Sequence, residues 1–250
     1  MAKNQVNNTG LIASIIIGSM LLSGSMVFFA MQMNGGPLSS DDLAKEIQAG
    51  ISAYVENAQN KAQEPENVPT VDINQDLSDD DPFLGDANAP VKVVEFSNFQ
   101  CSWCGYWHEN VWPKLKETYV DSGKVKFVYR DFTPSGFPAA YPAALAANCA
   151  REQGGDSVYF KMHDEIFKNQ SLLAQGEKAT FVTFAKNIGL DEAAFSSCFD
   201  ADKYQEEIQN DMAVGRGLGI DGTPGFVVGT VLVKGAEDFE KFQQLIDQQL

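Results

Sequence analysis

An apolar run, Val91-Lys92-Val93-Val94-Glu95-Phe96, is followed within a few residues by Cys101-Ser102-Trp103-Cys104 and then by a stretch patterned as a helix. Two thiols are thereby set where a strand hands over to a helix N-terminus. Unpaired N–H groups and the positive end of the helix dipole favour a thiolate there, and CxxC pairs so placed can bring a cysteine pKa from about 8.5 down toward about 3.5 to 7.5. The chemistry this predicts is thiol–disulfide exchange. Cys101, nearest the helix start, is the expected nucleophile and mixed-disulfide partner, and Cys104, one turn deeper, would resolve that intermediate.

Two plainer readings attach to the same residues: a structural CxxC and half of a zinc knuckle, with His108 as a third ligand at a CxxCxxxH spacing. A structural zinc site needs four ligands, and the remaining candidates, Cys149, Cys198 and His163, lie far along the chain. No metal is expected, and no cofactor beyond the redox-active Cys101–Cys104 disulfide. His108 reads as an ordinary residue of the first helix.

The chain has 250 residues, 44% of them hydrophobic, enough for one domain with a substantial core plus extra segments. Its net charge of −16 is unevenly spread: residues 34–90 carry 12 acidic and 2 basic residues, against 22 and 15 in residues 91–250. The acidity is concentrated in a tether, and no basic patch suits the chain to nucleic acid. Residues 11–33 contain no charged side chain, which is long enough to span a bilayer. Lys3 precedes this run and Asp41-Asp42 follow it, so the positive-inside rule puts residues 1–10 in the cytoplasm and the rest outside. An uncleaved signal anchor is therefore expected; the alternative, a cleaved signal peptide, would have a shorter apolar core and a small-residue cleavage site. Either way the cysteines face an oxidising compartment, periplasmic or extracellular.

Residues 34–85 read as an acidic juxtamembrane helix and a linker. Leu43, Ile47, Ile51, Tyr54 and Ala58 recur at helical spacing, residues 64–81 are rich in Pro, Asn and Asp, and Val71-Asp72-Ile73 could be an edge strand. From residue 86 to 250 the pattern is that of one α/β domain. A strand at 91–96, a helix at 102–119 and a strand at 124–130 make a βαβ unit, for which a parallel pair is expected. A helical block follows over about 135–215, with breaks near Gly154-Gly155, Gly176 and Gly189. Two short strands around Gly229-Thr230 read as a hairpin, and residues 236–250 as a closing helix with Phe239, Phe242, Leu245 and Ile246 on one face.

This plan, with Glu95-Phe96-Ser97-Asn98-Phe99-Gln100-Cys101-Ser102-Trp103-Cys104 and the later Gly222-Thr223-Pro224-Gly225-Phe226, resembles the DsbA-like branch of the thioredoxin superfamily over residues 86–250. The resemblance implies a thioredoxin-like fold with a helical insertion. It also implies a cis Pro224 beside the active-site disulfide, where Thr223 would expose backbone to an extended substrate, and it matches Glu95 to an acidic residue beneath the disulfide that exchanges a proton with Cys104. The residues themselves leave Glu95 as either a buried carboxylate whose pKa burial would raise or an edge-strand side chain facing water. Trp103, held between the cysteines, is expected to be exposed and to touch substrate, whereas most of Phe99, Tyr106, Trp107, Phe132 and Phe137 should be core. Cys149 and Cys198 lie on apolar helical faces of the insertion and, in an oxidising compartment, are expected to pair; two buried free thiols are the alternative.

The function expected is an extracytoplasmic thiol–disulfide oxidoreductase that donates its disulfide to reduced secreted or envelope proteins, with a membrane redox partner, by resemblance quinone-linked, to reoxidise it. The Ser102-Trp103 pair differs from the family's better-known Pro-His and leaves the oxidising strength open. A reductase or isomerase on the same scaffold and a non-catalytic chaperone module binding unfolded chains are the alternatives.

Overall fold

Strand β2 (Val91–Ser97) is apolar nearly throughout because both of its faces are covered, and neighbouring side chains divide between two cores. Val91 and Val93 join the larger cluster, with Trp107, Phe127, Tyr129, Phe226 and Phe242, while Val94 and Phe96 join a smaller one with Val128, Phe132 and Val227. In the computed structural model, which describes residues 45, 47–53, 55, 77 and 80–250, β2 is central in a five-stranded sheet. Its neighbours are β3 (Val125–Asp131), parallel, and β4 (Gly225–Val228), antiparallel. The edges are β1 (Phe83–Leu84), antiparallel to β3, and β5 (Val231–Lys234), antiparallel to β4. The two-residue turn between β4 and β5 is Gly229-Thr230, where Gly229 has φ +61, as the hairpin chemistry predicts.

The helices are α1 (Ser102–Asn110), α2 (Trp112–Leu115), α3 (Ala140–Arg151), α4 (Asp156–Lys168), α5 (Lys178–Asn187), α6 (Glu192–Asp200), α7 (Gln205–Gly217) and α8 (Phe239–Asp247). The single helix expected over 102–119 is broken at Val111 (φ −112) and ends in a π-helical turn, Lys116–Val120. Pro113 explains the break, since it has no N–H for the carbonyl a turn earlier and is accommodated at the start of a new segment. The closing helix likewise starts later than expected, at Phe239, because the Asp238 side chain accepts from Lys241 N at 3.1 Å and caps it there. Helices α3 to α7 form the insertion, in which the Cys149–Cys198 disulfide joins α3 to α6 across 49 residues of sequence.

The chain divides into two compact units, Met1–Glu66 and Asn67–Leu250. In the first, residues 47–53 are helical, with Ile47 and Ile51 exposed. Residues 11–33 and the possible edge strand at 71–73 lie outside the described residues; among those described, no helix is long and apolar enough to cross a membrane. In the second unit the linker reading stops short of residue 81. Leu77 is buried in the smaller core and Asp81 meets Arg130 Nε at 3.0 Å. Arg130, fully buried on β3, also contacts Asp211 of α7 at 2.6 Å. A buried guanidinium requires such partners, which is why the last part of the tether is drawn into the domain.

Candidate active site

After β2 the chain turns at Asn98: its carbonyl accepts from Cys101 N at 2.9 Å and its side chain from Gln100 N at 2.8 Å. Cys101 thereby becomes the N-cap of α1, in an extended conformation (φ −75, ψ 123). Donation by the Cys104 thiol foremost, then by Thr223 and the nearby backbone N–H groups of Cys104 and Trp103, outweighs the effect of burial and brings the Cys101 pKa from 9.0 down to about 5, although the sulfur makes no ordinary cap hydrogen bond. When protonated, the Cys101 thiol donates to the Thr223 carbonyl across 3.3 Å. That contact sets the loop before β4 against the reactive sulfur, and the Thr223-Pro224 peptide within it is cis.

Cys104 is pushed the opposite way. It is fully buried, and burial first, then its hydrogen bond to Cys101 and the charges of Cys101 and Glu95, hold its thiol well above the ordinary value. The unbridged pair is thus one thiolate and one thiol, with the thiolate at the helix start.

Glu95 sits in the centre of the sheet, fully buried. By strand alternation it shares the face of Val91 and Val93 that packs on α1. Its Oε2 lies 3.1 Å from Nε2 of His108, one turn beyond Cys104, and its Oε1 has no hydrogen-bond partner among the described residues. The water-facing alternative for Glu95 is excluded, and His108 is tied to a carboxylate.

Trp103 is 62% exposed and meets Tyr106 edge-on at 5.8 Å. Phe99, Trp107 and Phe132 are core, whereas Tyr106 and Phe137 are exposed. Ser102 is exposed at the helix start.

Two glutamines absent from the sequence expectations tie the insertion to the redox loop. Gln170 Nε2 donates to the carbonyls of both Phe99 and Cys101 at 2.8 Å, and its side chain passes so close to Gly105 that a Cβ there would lie 2.6 Å from Oε1. Gln100 accepts from Ala139 N at 2.7 Å and donates to Ala174 O at 3.0 Å. Gln170 belongs to no motif, and Gln100, though inside the run that leads into the cysteines, carries no local signal of its partners in the insertion. Arg130 did carry one, being a charge within an apolar strand like Glu95. Among the described residues, Asp81, Glu207 and Asp211 bring three carboxylates together. The guanidinium of Arg130 lies on two of them and supplies the positive charge, so the cluster reads as an ion-pair network rather than a metal centre.

The thioredoxin family model matches residues 77–248. A probable disulfide bond formation protein D of Bacillus anthracis is 30% identical over 171 residues, covering 67% of this chain and 77% of that protein. A putative protein-disulfide oxidoreductase of Rickettsia felis is 26% identical over 209 residues, covering 81% of this chain and 73% of its own. Among solved structures, alpha-DsbA1 of Wolbachia pipientis aligns with a TM-score of 0.62 at 26% identity, covering 69% of this chain and 93% of the other. Oxidised BdbD of Bacillus subtilis aligns with a TM-score of 0.61 at 24% identity, covering 68% and 92%, a likeness of fold.

Proposed function

We propose, from the premise that this chain belongs to the DsbA-like branch of the thioredoxin superfamily and is a thiol–disulfide oxidoreductase, that it works as an oxidase donating the Cys101–Cys104 disulfide to reduced proteins outside the cytoplasm. The observation that carries the direction is the Cys101 thiolate, with a pKa of about 5. Whatever stabilises the reduced form makes its disulfide a stronger oxidant. A substrate thiolate attacks Cys101 Sγ and forms a mixed disulfide, Cys104 is the leaving sulfur, and a second substrate thiol completes the exchange. Thr223, before the cis proline, offers backbone to an extended segment beside Cys101 in the manner of strand addition. The exposed Trp103 offers it an apolar contact. Glu95 serves the proton of Cys104. Residues 11–33 anchor the protein as a single-pass span with the catalytic domain outside, and a membrane redox partner, quinone-linked by family resemblance, restores the disulfide.

Equilibration of the protein with glutathione buffers tests the direction. The expected potential is clearly more oxidising than the roughly −270 mV of thioredoxin, with the pair found mainly oxidised in cells by thiol alkylation. A potential near that of thioredoxin, or a pair found mainly reduced, rejects the oxidase and establishes the reductase or isomerase.

A further inference from the structure

Ser97 ends β2 and has no part in the exchange so far, yet its hydroxyl is 1% exposed at the floor of the redox site. By strand alternation it shares the face of Val93 and Glu95, the face covered by α1. The register of the parallel pair sets Tyr129 beside Glu95 and Asp131 beside Ser97. Cys104, fully buried on α1, meets this layer: the charge of Glu95 acts on it and its own charge acts on Tyr129. The Ser97 side chain acts on both Cys104 and Tyr129, in each case favouring the charged form through a hydrogen bond. With both cysteines free, Ser97 Oγ, Tyr129 OH and Glu95 Oε1 have no partner in full hydrogen-bond geometry among the described residues. An unpaired buried hydroxyl costs free energy, and a contact that tightens only as charge forms on its neighbour favours the step that forms the charge.

We propose that Ser97 is a catalytic donor to the Cys104 sulfur and Tyr129 its positioning residue: Tyr129 O–H donates to Ser97 Oγ, and Ser97 O–H donates to Cys104 Sγ while that sulfur carries charge during exchange. This rests on the cysteine roles proposed above and adds the group that stabilises the buried one. When Cys104 attacks a mixed disulfide on Cys101, the Cys101–Cys104 bond forms and the bond from Cys101 to the substrate sulfur breaks. The substrate sulfur leaves with the electron pair, and the Cys104 proton passes to Glu95. In the oxidising direction a substrate thiolate attacks Cys101, and Cys104 leaves with the electron pair and takes the proton back. Ser97 and Tyr129 keep their own protons throughout, so the chain of hydroxyls needs no path to water. Each hydroxyl has one hydrogen to give, and the chain uses each once.

The groups packed around this chain leave it to act. Burial foremost, then the charges of Glu95, Asp131 and Cys104, push the Tyr129 pKa well above its ordinary value, so the ring stays a phenol with a proton to donate. Asp131 takes Asn148 Nδ2 at 2.8 Å, and burial, followed by the charge of Asp211, raises its pKa, which weakens it as a rival acceptor for Ser97. From α4, Tyr159 and His163 pack on Tyr129 with ring centroids 5.9 and 4.9 Å away. Burial foremost raises the pKa of Tyr159 and lowers that of His163 to about 4, so both are neutral at pH 7. Glu95 Oε2 is held by His108 Nε2 at 3.1 Å, which leaves Oε1 for the Cys104 proton.

The test is single-turnover. Reduced full-length protein is mixed with oxidised glutathione, and the release of glutathione from Cys101 by Cys104 is followed from pH 6 to 10, with the addition of glutathione to Cys101 as internal reference. Ser97→Ala should lower the ratio of release to addition by about ten-fold, the order of a hydrogen bond to a charged group, and should displace the rise of release to higher pH. Tyr129→Phe, which removes one oxygen, should lower the ratio by a smaller factor in the natural background and not at all beside Ser97→Ala, as two links of one chain do. A folded Ser97→Ala protein with the natural ratio and pH profile would overturn the proposal, as would a Tyr129→Phe effect of equal size with and without Ser97. Should Ser97→Ala not fold, Tyr129→Phe alone decides, and an unchanged ratio rejects the chain. Failure of the underlying reading looks different. Glutathione found on Cys104 rejects the cysteine roles and this proposal with them; a thioredoxin-like potential rejects the oxidase alone, and the ratio still reports on Ser97.

Discussion

Cys101 and Cys104 are the same side chain three residues apart, driven in opposite directions by what surrounds them: donors at a helix start for one, complete burial over a carboxylate for the other. Iodoacetamide should therefore label Cys101 in the reduced protein with a midpoint near pH 5, and Cys104 not at all in that range. The same shift predicts how stability varies with pH. A cysteine whose pKa falls from 9.0 unfolded to about 5 folded contributes stability that is complete above about pH 9 and is lost as pH falls through 5. The oxidised protein has no such group. Urea denaturation of both forms should show the reduced form losing ground to the oxidised form from pH 9 to 5; parallel curves would contradict the thiolate. Substitution separates the roles: Cys101→Ser should abolish exchange, while Cys104→Ser should accumulate covalent mixed disulfides with client proteins on non-reducing gels. Trapping by Cys101→Ser instead would reverse the assignment.

At the scale of elements, the redox loop is held from outside the βαβ unit that carries it. Gln170, in the 3₁₀ turn after α4, satisfies two carbonyls of the loop, one of them that of the N-cap Cys101. Gln170→Ala should lower stability by about 1 to 3 kcal/mol in urea denaturation, the effect of leaving the Phe99 carbonyl unpaired while the Cys101 carbonyl keeps only its bond from Gly105 N, and should shift the Cys101 alkylation midpoint by loosening the cap. Gly105→Ala should mimic it by pushing the amide aside, despite alanine's better helix propensity. What the sequence made legible and what it hid divide along this line. The strand into the cysteines, the hairpin at Gly229-Thr230 and the caps of the insertion are written in neighbouring residues, and periodicity finds them. The clamp from Gln170 spans 69 residues, and the Arg130–Asp211 pair spans 81. No local pattern encodes such a partner, whereas Pro113, which splits the helix expected over 102–119, stands in the sequence itself.

Over the whole molecule there are two long-range ties: one closes the insertion on itself, and the other holds the insertion and the N-terminal approach to the sheet. The Cys149–Cys198 bridge closes 49 residues and should contribute about 4 kcal/mol in the chain-entropy model; thermal and urea denaturation of the Cys149→Ala/Cys198→Ala double variant, with Cys101–Cys104 oxidised in both proteins, measures it. A loss below about 1 kcal/mol would mean that the reduced chain keeps the insertion closed by packing alone. Removing Arg130 should be harsher than removing a surface pair, since Arg130→Leu leaves Asp81 and Asp211 buried with no guanidinium; about 3 to 5 kcal/mol is expected. The bridge in the insertion has a further consequence for how the protein is made. Each new copy needs a disulfide of its own, distinct from the catalytic pair, before its insertion is locked. Under the proposed direction, mature copies are the natural donors of that bond. Production of the enzyme then feeds on itself: a cell with few finished molecules completes new ones slowly, and recovery from depletion should follow a lag and an acceleration rather than a steady climb.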